Sequence, residues 1–158
     1  MTRAVNVLGV AAKFSGISFV FFRRGELGDW GNSYKRGQGI EGAYVAAEKW
    51  IRKYKPSLVV VPDYGDKSRK GDLSRARIEA VAAAAESHGL AVVRVQRPHK
   101  HRNKHREAVM LAGRYRQIEG WVPKYRRAWD DEPRTTLMFE ALAVTHAFFV
   151  QNKKASSQ

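Results

Sequence analysis

Leu58 to Val61 read LVVV, four apolar residues in succession, three of them branched at Cβ. A run without alternation makes a strand buried on both faces, which belongs inside a sheet. Pro56 stands just upstream and ends the preceding helix, because proline lacks an amide hydrogen and restricts the residue before it. The rest of the chain arranges itself around that strand. Val5 to Val10 (VNVLGV) and Ile17 to Phe22 (ISFVFF) read as buried strands, with Ala11 to Gly16 the loop between them. Gly25 and Glu26 turn the chain into a weaker edge strand, Leu27 to Ser33, centred on Trp30. Ile40, Tyr44, Ala47, Ile51 and Tyr54 keep the three-to-four spacing of one buried face and predict a helix over 40–54. An alanine-rich helix follows from Leu73 to Ser87, stopped by Gly89, and Leu90 to Val95 is the fifth strand. Helices over 103–118 and 134–150 close the order, and 151–158 reads as a frayed basic tail. This order predicts an α/β fold in one domain over 1–150. Its mixed five-stranded sheet is a three-strand meander followed by two helix–strand units, flanked by helices.

Charge narrows the function. Lys and Arg number 29 against 15 Asp and Glu, a formal net charge of +14, and hydrophobic residues at 44% suffice for a core. Such an excess implies a polyanionic partner. No helix pairs one basic with one bulky apolar face, so nucleic acid is favoured over a membrane surface. The absence of cysteine excludes a disulfide scaffold, a zinc finger and a cysteine nucleophile. No apolar run approaches the roughly 18 residues of a membrane span, and Met1 to Val7 lacks the apolar core of a signal peptide. The chain reads as a soluble, cytoplasmic protein. Neither a G-x-x-x-x-G-K-[ST] phosphate loop nor a G-x-S-x-G nucleophile elbow occurs.

In an open α/β sheet, ligands sit beyond the carboxyl ends of the central strands. After Val10 come Ala11 and Ala12, which carry no chemistry; after Val61 come Pro62, Asp63 and, three residues on, Asp66. Carboxylates there suit Mg²⁺, which takes hard oxygen ligands, although Asp also shapes turns. Glu140 borders the apolar face made by Leu137, Ala141, Val144 and Phe148. A carboxylate facing a core must be paired or metal-bound; the alternative is an edge residue that snorkels to solvent or meets a cation. Arg94 to Arg106 (RVQRPHKHRNKHR) holds six Lys or Arg with His99, His101 and His105. So much positive charge points to phosphate contacts from Arg97, Lys100, Arg102, Lys104 and Arg106 rather than to a histidine metal site. Trp121 to Trp129 (WVPKYRRAW) interleaves Lys124, Arg126 and Arg127 with aromatics, a pattern that contacts a backbone and stacks on unpaired bases.

Four stretches together resemble the RuvC-like branch of the ribonuclease H superfamily, over nearly the whole chain. They are the opening VLGVAAKFSGISFVFF, then PSLVVVPD, HKHRNKHREAVMLAG and LMFEALAVTHAFF. The resemblance implies an RNase H-like fold, DNA as partner (branched DNA above all), and Mg²⁺ or Mn²⁺ held by carboxylates for in-line attack of water on a phosphodiester. It also allows a homodimer. Three positions depart from the family pattern. The first-strand Asp falls on Ala11, the fourth-strand Glu falls on Pro62 with Asp63 one residue along, and the last Asp is replaced by Glu140. Three readings follow: a DNA-binding protein with a degenerate nuclease site, an active endonuclease using Asp63, Asp66 and Glu140, or a non-enzymatic structural or partner-binding protein.

Overall fold

The computed structural model describes residues 5–13, 16–33, 39–64, 72–96, 104–122 and 135–156. They form β1 (Val7–Lys13), β2 (Gly16–Arg23), β3 (Glu26–Ser33), α1 (Gly39–Tyr54), β4 (Leu58–Pro62), α2 (Asp72–Ser87), β5 (Ala91–Val95), α3 (Lys104–Arg114), a 3-10 turn (Arg116–Trp121) and α4 (Thr135–Ser156). The five strands make one mixed sheet in the order β3-β2-β1-β4-β5. β1 is central, antiparallel to β2 and parallel to β4, and β4 is parallel to β5. The meander and the interior position of the LVVV strand agree with the sequence pattern.

Alternation along the strands sorts their side chains into two cores. Val7, Ala11, Val20, Phe22, Val60 and Val95 face α3, the 3-10 turn and α4. Leu8, Val10, Ala12, Ile17, Phe19, Phe21, Val59 and Val61 face α1 and α2. The LVVV run is thus shared between both layers, which is why it shows no alternation. The β2–β3 hairpin turns through Arg24 and Gly25, both at positive φ, the geometry that matches the twist of the flanking strands.

Several boundaries differ from the sequence reading, each for a physical reason. β1 runs on through Ala11 and Ala12 to Lys13, where a loop was expected, because those residues pair with Ser18, Ile17 and Gly16 of β2. The buried face of α1 is Ala43, Ala47, Trp50 and Ile51, while Ile40 is exposed. The large indole turns the helix toward Phe19, whose ring centroid lies 4.5 Å away. The helix expected over 103–118 stops at Arg114, and the chain re-forms as a 3-10 turn after Tyr115 adopts φ −119°, ψ 82°. α4 carries no single apolar stripe: all ten residues from Thr136 to Thr145 are buried. It extends to Ser156, through most of the stretch read as a tail.

Candidate functional site

Two contacts fix how α4 lies over the sheet. The Phe149 ring lies 4.9 Å from that of Phe22, which pairs with Val7 at the start of β1. Thr145 sits directly over Gly9: a Cβ added at Gly9 would fall 1.8 Å from Thr145 Oγ1. The helix therefore runs antiparallel to β1. Going back five residues from Thr145 to Glu140 moves about 7.5 Å along the helix. Going forward two residues from Gly9 to Ala11 moves about 6.7 Å along the strand. By rise alone Glu140 is level with Ala11, while at about 100° per residue it lies about 140° around the helix from Thr145, the residue that faces β1.

A row of residues crosses the sheet at that level on the α4 side. Asn32 of β3 pairs with Ser18 of β2, and Ser18 pairs with Ala11. The Ser18 hydroxyl donates to Asn32 Oδ1. Ser18 and Ala11 are both completely buried. On the other flank, the β1–β4 ladder runs from Val7–Leu58 to Gly9–Val60. Tyr64 then ties the two strand ends together: its hydroxyl donates to the Ala12 carbonyl at 2.9 Å and accepts from the Ala12 amide at 3.3 Å. By alternation Pro62 shares the face of Val60, the same face as Ala11. At that level the strand positions on the α4 face are therefore a methyl group and a proline ring.

Glu140 is 6% exposed, so it does not snorkel to solvent, and it takes part in a polar interaction. Asp63 is exposed at the end of β4, its amide donating to the Val95 carbonyl at 2.9 Å. Arg106 is exposed on α3, and Lys104 lies in the first turn of that helix. Asp66, Arg97, Lys100, Arg102, Lys124, Arg126, Arg127, His99 and His101 lie outside the described residues, as do the side chains of Lys104 and His105. Among the described residues no three His, Asp or Glu side chains come together in a group that could hold a metal ion. The described residues alone do not bring together the several acidic oxygens that a two-metal centre needs at one point.

A second buried acid, Glu107, was not singled out in the sequence. It precedes Leu111 by four residues and Ala108 by one, so the apolar spacing of α3 already put it on the buried face. α3 is fastened to α4 by Tyr115 and His146, the hydroxyl 2.8 Å from Nδ1. Burial, reinforced by Arg114, lowers the His146 pKa, and burial raises that of Tyr115. The lowered pKa favours the neutral imidazole, whose tautomer sets which of the two groups donates.

No family model matches the chain, and no curated protein matches by sequence. Solved structures do match. Thermus thermophilus RuvC superposes with a TM-score of 0.64 at 18% identity, over 94% of this chain and 96% of that one. The fold is that of RuvC-like resolvases. The same RuvC in complex with a Holliday junction substrate gives 0.58 at 14% identity, over 94% and 96%. Fowlpox virus resolvase, in complex with substrate Holliday junction DNA, gives 0.58 at 12% identity, over 90% and 99%. Against the RuvC-like fold, β1 and β4 supply the two central strand ends and α4 the closing helix. No described helix is long and apolar enough to cross a membrane.

Proposed function

We propose that this protein binds branched DNA on a RuvC-like fold whose metal-dependent nuclease centre is degenerate. The observation that supports the reading is Ala11, completely buried at the centre of the sheet on the α4 face, where the resemblance expects a metal-binding carboxylate. The fold likeness to resolvases bound to four-way junctions supports branched DNA as the partner. The charge of +14 supports binding through phosphates. The basic residues of 97–106 and 124–127 are assigned to those phosphates, and Glu140 and Asp63 are what remains of a site for Mg²⁺ or Mn²⁺.

The buried carboxylate of Glu140 favours one rival, an active endonuclease in which Asp63, Asp66 and Glu140 together hold the metal. A labelled four-way junction, assayed for binding and for cleavage with Mn²⁺, separates the two. The expected result is tight binding that weakens steeply with salt, without cleavage. Cleavage by this chain that Glu140→Ala abolishes would establish the rival reading. Cleavage only by Ala11→Asp would identify position 11 as the missing ligand. Binding that is undetectable or insensitive to salt would refute both, and leave a structural or partner-binding role.

A further inference from the structure

The 3-10 turn after α3 ends on Trp121, the largest of the exposed apolar side chains among the described residues, at 48% exposure. The turn that carries it is well anchored. Tyr115 is held to His146, Ile118 is completely buried, and Gln117 Nε2 donates to the Leu27 carbonyl of β3 at 3.1 Å. These contacts hold the turn against the β3 edge of the sheet and bring Trp121 to Trp30, ring centroids 6.3 Å apart and planes at 81°. In such an edge-to-face pair Trp30 covers at most one face of the Trp121 indole. A flat aromatic face, half in water and already positioned, loses little side-chain freedom when a second ring stacks on it.

Trp30 pairs with Val20 and packs into the core beneath α3 and α4, so the two indoles lie on the α4 face of the sheet, the face of Ala11. Two residues further along β3, about 7 Å, Asn32 closes the row that runs through Ser18 to Ala11. Cations flank the turn. Arg116 opens it and Arg114 precedes it, both exposed, and the ion pair of Arg116 with Glu119 is long at 4.0 Å with both side chains largely in solvent. The chain as a whole carries +14. A protein interface is depleted of charge at its core, whereas a nucleotide brings both a phosphate for the cations and a π-face for the indole. The interior of a duplex keeps its bases stacked on one another, while a branch point exposes the faces of the bases that border it. We infer that Trp121, backed by Trp30, is a stacking site for a base exposed at a DNA branch point. That role rests on the DNA-binding reading, and it names the group that tells a branch from a plain duplex.

The full chain is titrated, by fluorescence anisotropy, against a labelled four-way junction and against a blunt duplex of the same total length, at several salt concentrations. Trp121→Ala should weaken junction binding about ten-fold, the loss of one stacked base, and leave duplex binding within about two-fold. Duplex binding near that of wild type also reports that the variant is folded. Trp121→Phe, which keeps a π-face, should stay within about three-fold of wild type on the junction. Trp121→Leu keeps an apolar contact with Trp30 but has no π-face, and should lose as much as Trp121→Ala. The slope of log Kd against log salt should be the same in every chain, since no phosphate contact is removed. Junction binding by Trp121→Ala or Trp121→Leu equal to that of wild type would overturn the stacking role, keep the DNA-binding reading, and leave the exposed indole to a protein partner. Equal losses on junction and duplex, or a shallower salt slope, would overturn it as well. A wild-type chain that binds neither DNA would overturn the reading and the stacking role together.

Discussion

Gly9→Ala tests the seating of α4 on which the position of Glu140 depends. The added methyl carbon would meet Thr145 Oγ1 at 1.8 Å, Thr145 Cβ at 3.1 Å and Val20 Cγ2 at 3.2 Å. Thr145 is completely buried, and its hydroxyl donates to the Ala141 carbonyl at 2.8 Å. Either the hydroxyl swings away, losing a bond worth about 1 kcal/mol, or α4 lifts off the sheet, an overpacking cost of about 1–3 kcal/mol. Replacing glycine in a strand returns about 0.5–1 kcal/mol, so where α4 lifts the net loss should reach about 2 kcal/mol. In a Thr145→Ala background the 1.8 Å contact is gone and only the two contacts beyond 3 Å remain. There Gly9→Ala should cost less than about 1 kcal/mol, a coupling of at least about 1 kcal/mol between the two sites. Urea denaturation of the four chains measures it, read from midpoints with unchanged slope. Equal costs in both backgrounds, or a Gly9→Ala chain within about 0.5 kcal/mol of wild type, would show that α4 does not rest on Gly9. The placing of Glu140 level with Ala11 would fall with it.

Ala11→Asp should cost about 2–4 kcal/mol without metal, since it places a carboxylate at a completely buried position. Mn²⁺ should raise the Tm of that variant and leave the wild type unmoved; an equal rise in both would contradict the assignment of position 11. Because burial lowers the His146 pKa, the unfolded chain takes up that proton at higher pH than the folded one. Stability from this group is therefore complete above about pH 6.5 and is lost as the pH falls below it. Tm measured at pH 7.5 and 5.5 should drop less for His146→Gln than for wild type, and an identical drop would exclude His146 as a source. Arg94 meets Glu79 in a two-pronged pair at 2.7 and 3.0 Å, but both side chains are largely exposed. Arg94→Ala should cost less than about 1 kcal/mol by urea denaturation, and a loss above 2 kcal/mol would refute a surface role.

The sheet was legible because its information is local. LVVV and ISFVFF are runs that no other element accommodates, and glycine and proline punctuate the segments between them. What the pattern missed depends on pairing across the fold. Ala11 and Ala12 have no strand preference of their own; they are strand because β2 pairs with them and Tyr64 takes the backbone of Ala12. Glu140 was visible as a carboxylate on an apolar helix, but its full burial follows from the packing of α4 on all sides, which no single stripe encodes. The row joining Asn32, Ser18 and Ala11 is a consequence of register, and register is what converts an alanine in a strand into a statement about chemistry. A side chain one residue earlier or later in β1 would face α1 and α2 instead of α4. Arg77 shows the same logic in reverse. It lies four residues before Val81 and seven before Ala84, both buried, so its place on an apolar face was readable from spacing. That the face ends beside the first turn of α1, where Arg77 and Gly39 line one small cleft, follows only once α1 and α2 are packed side by side.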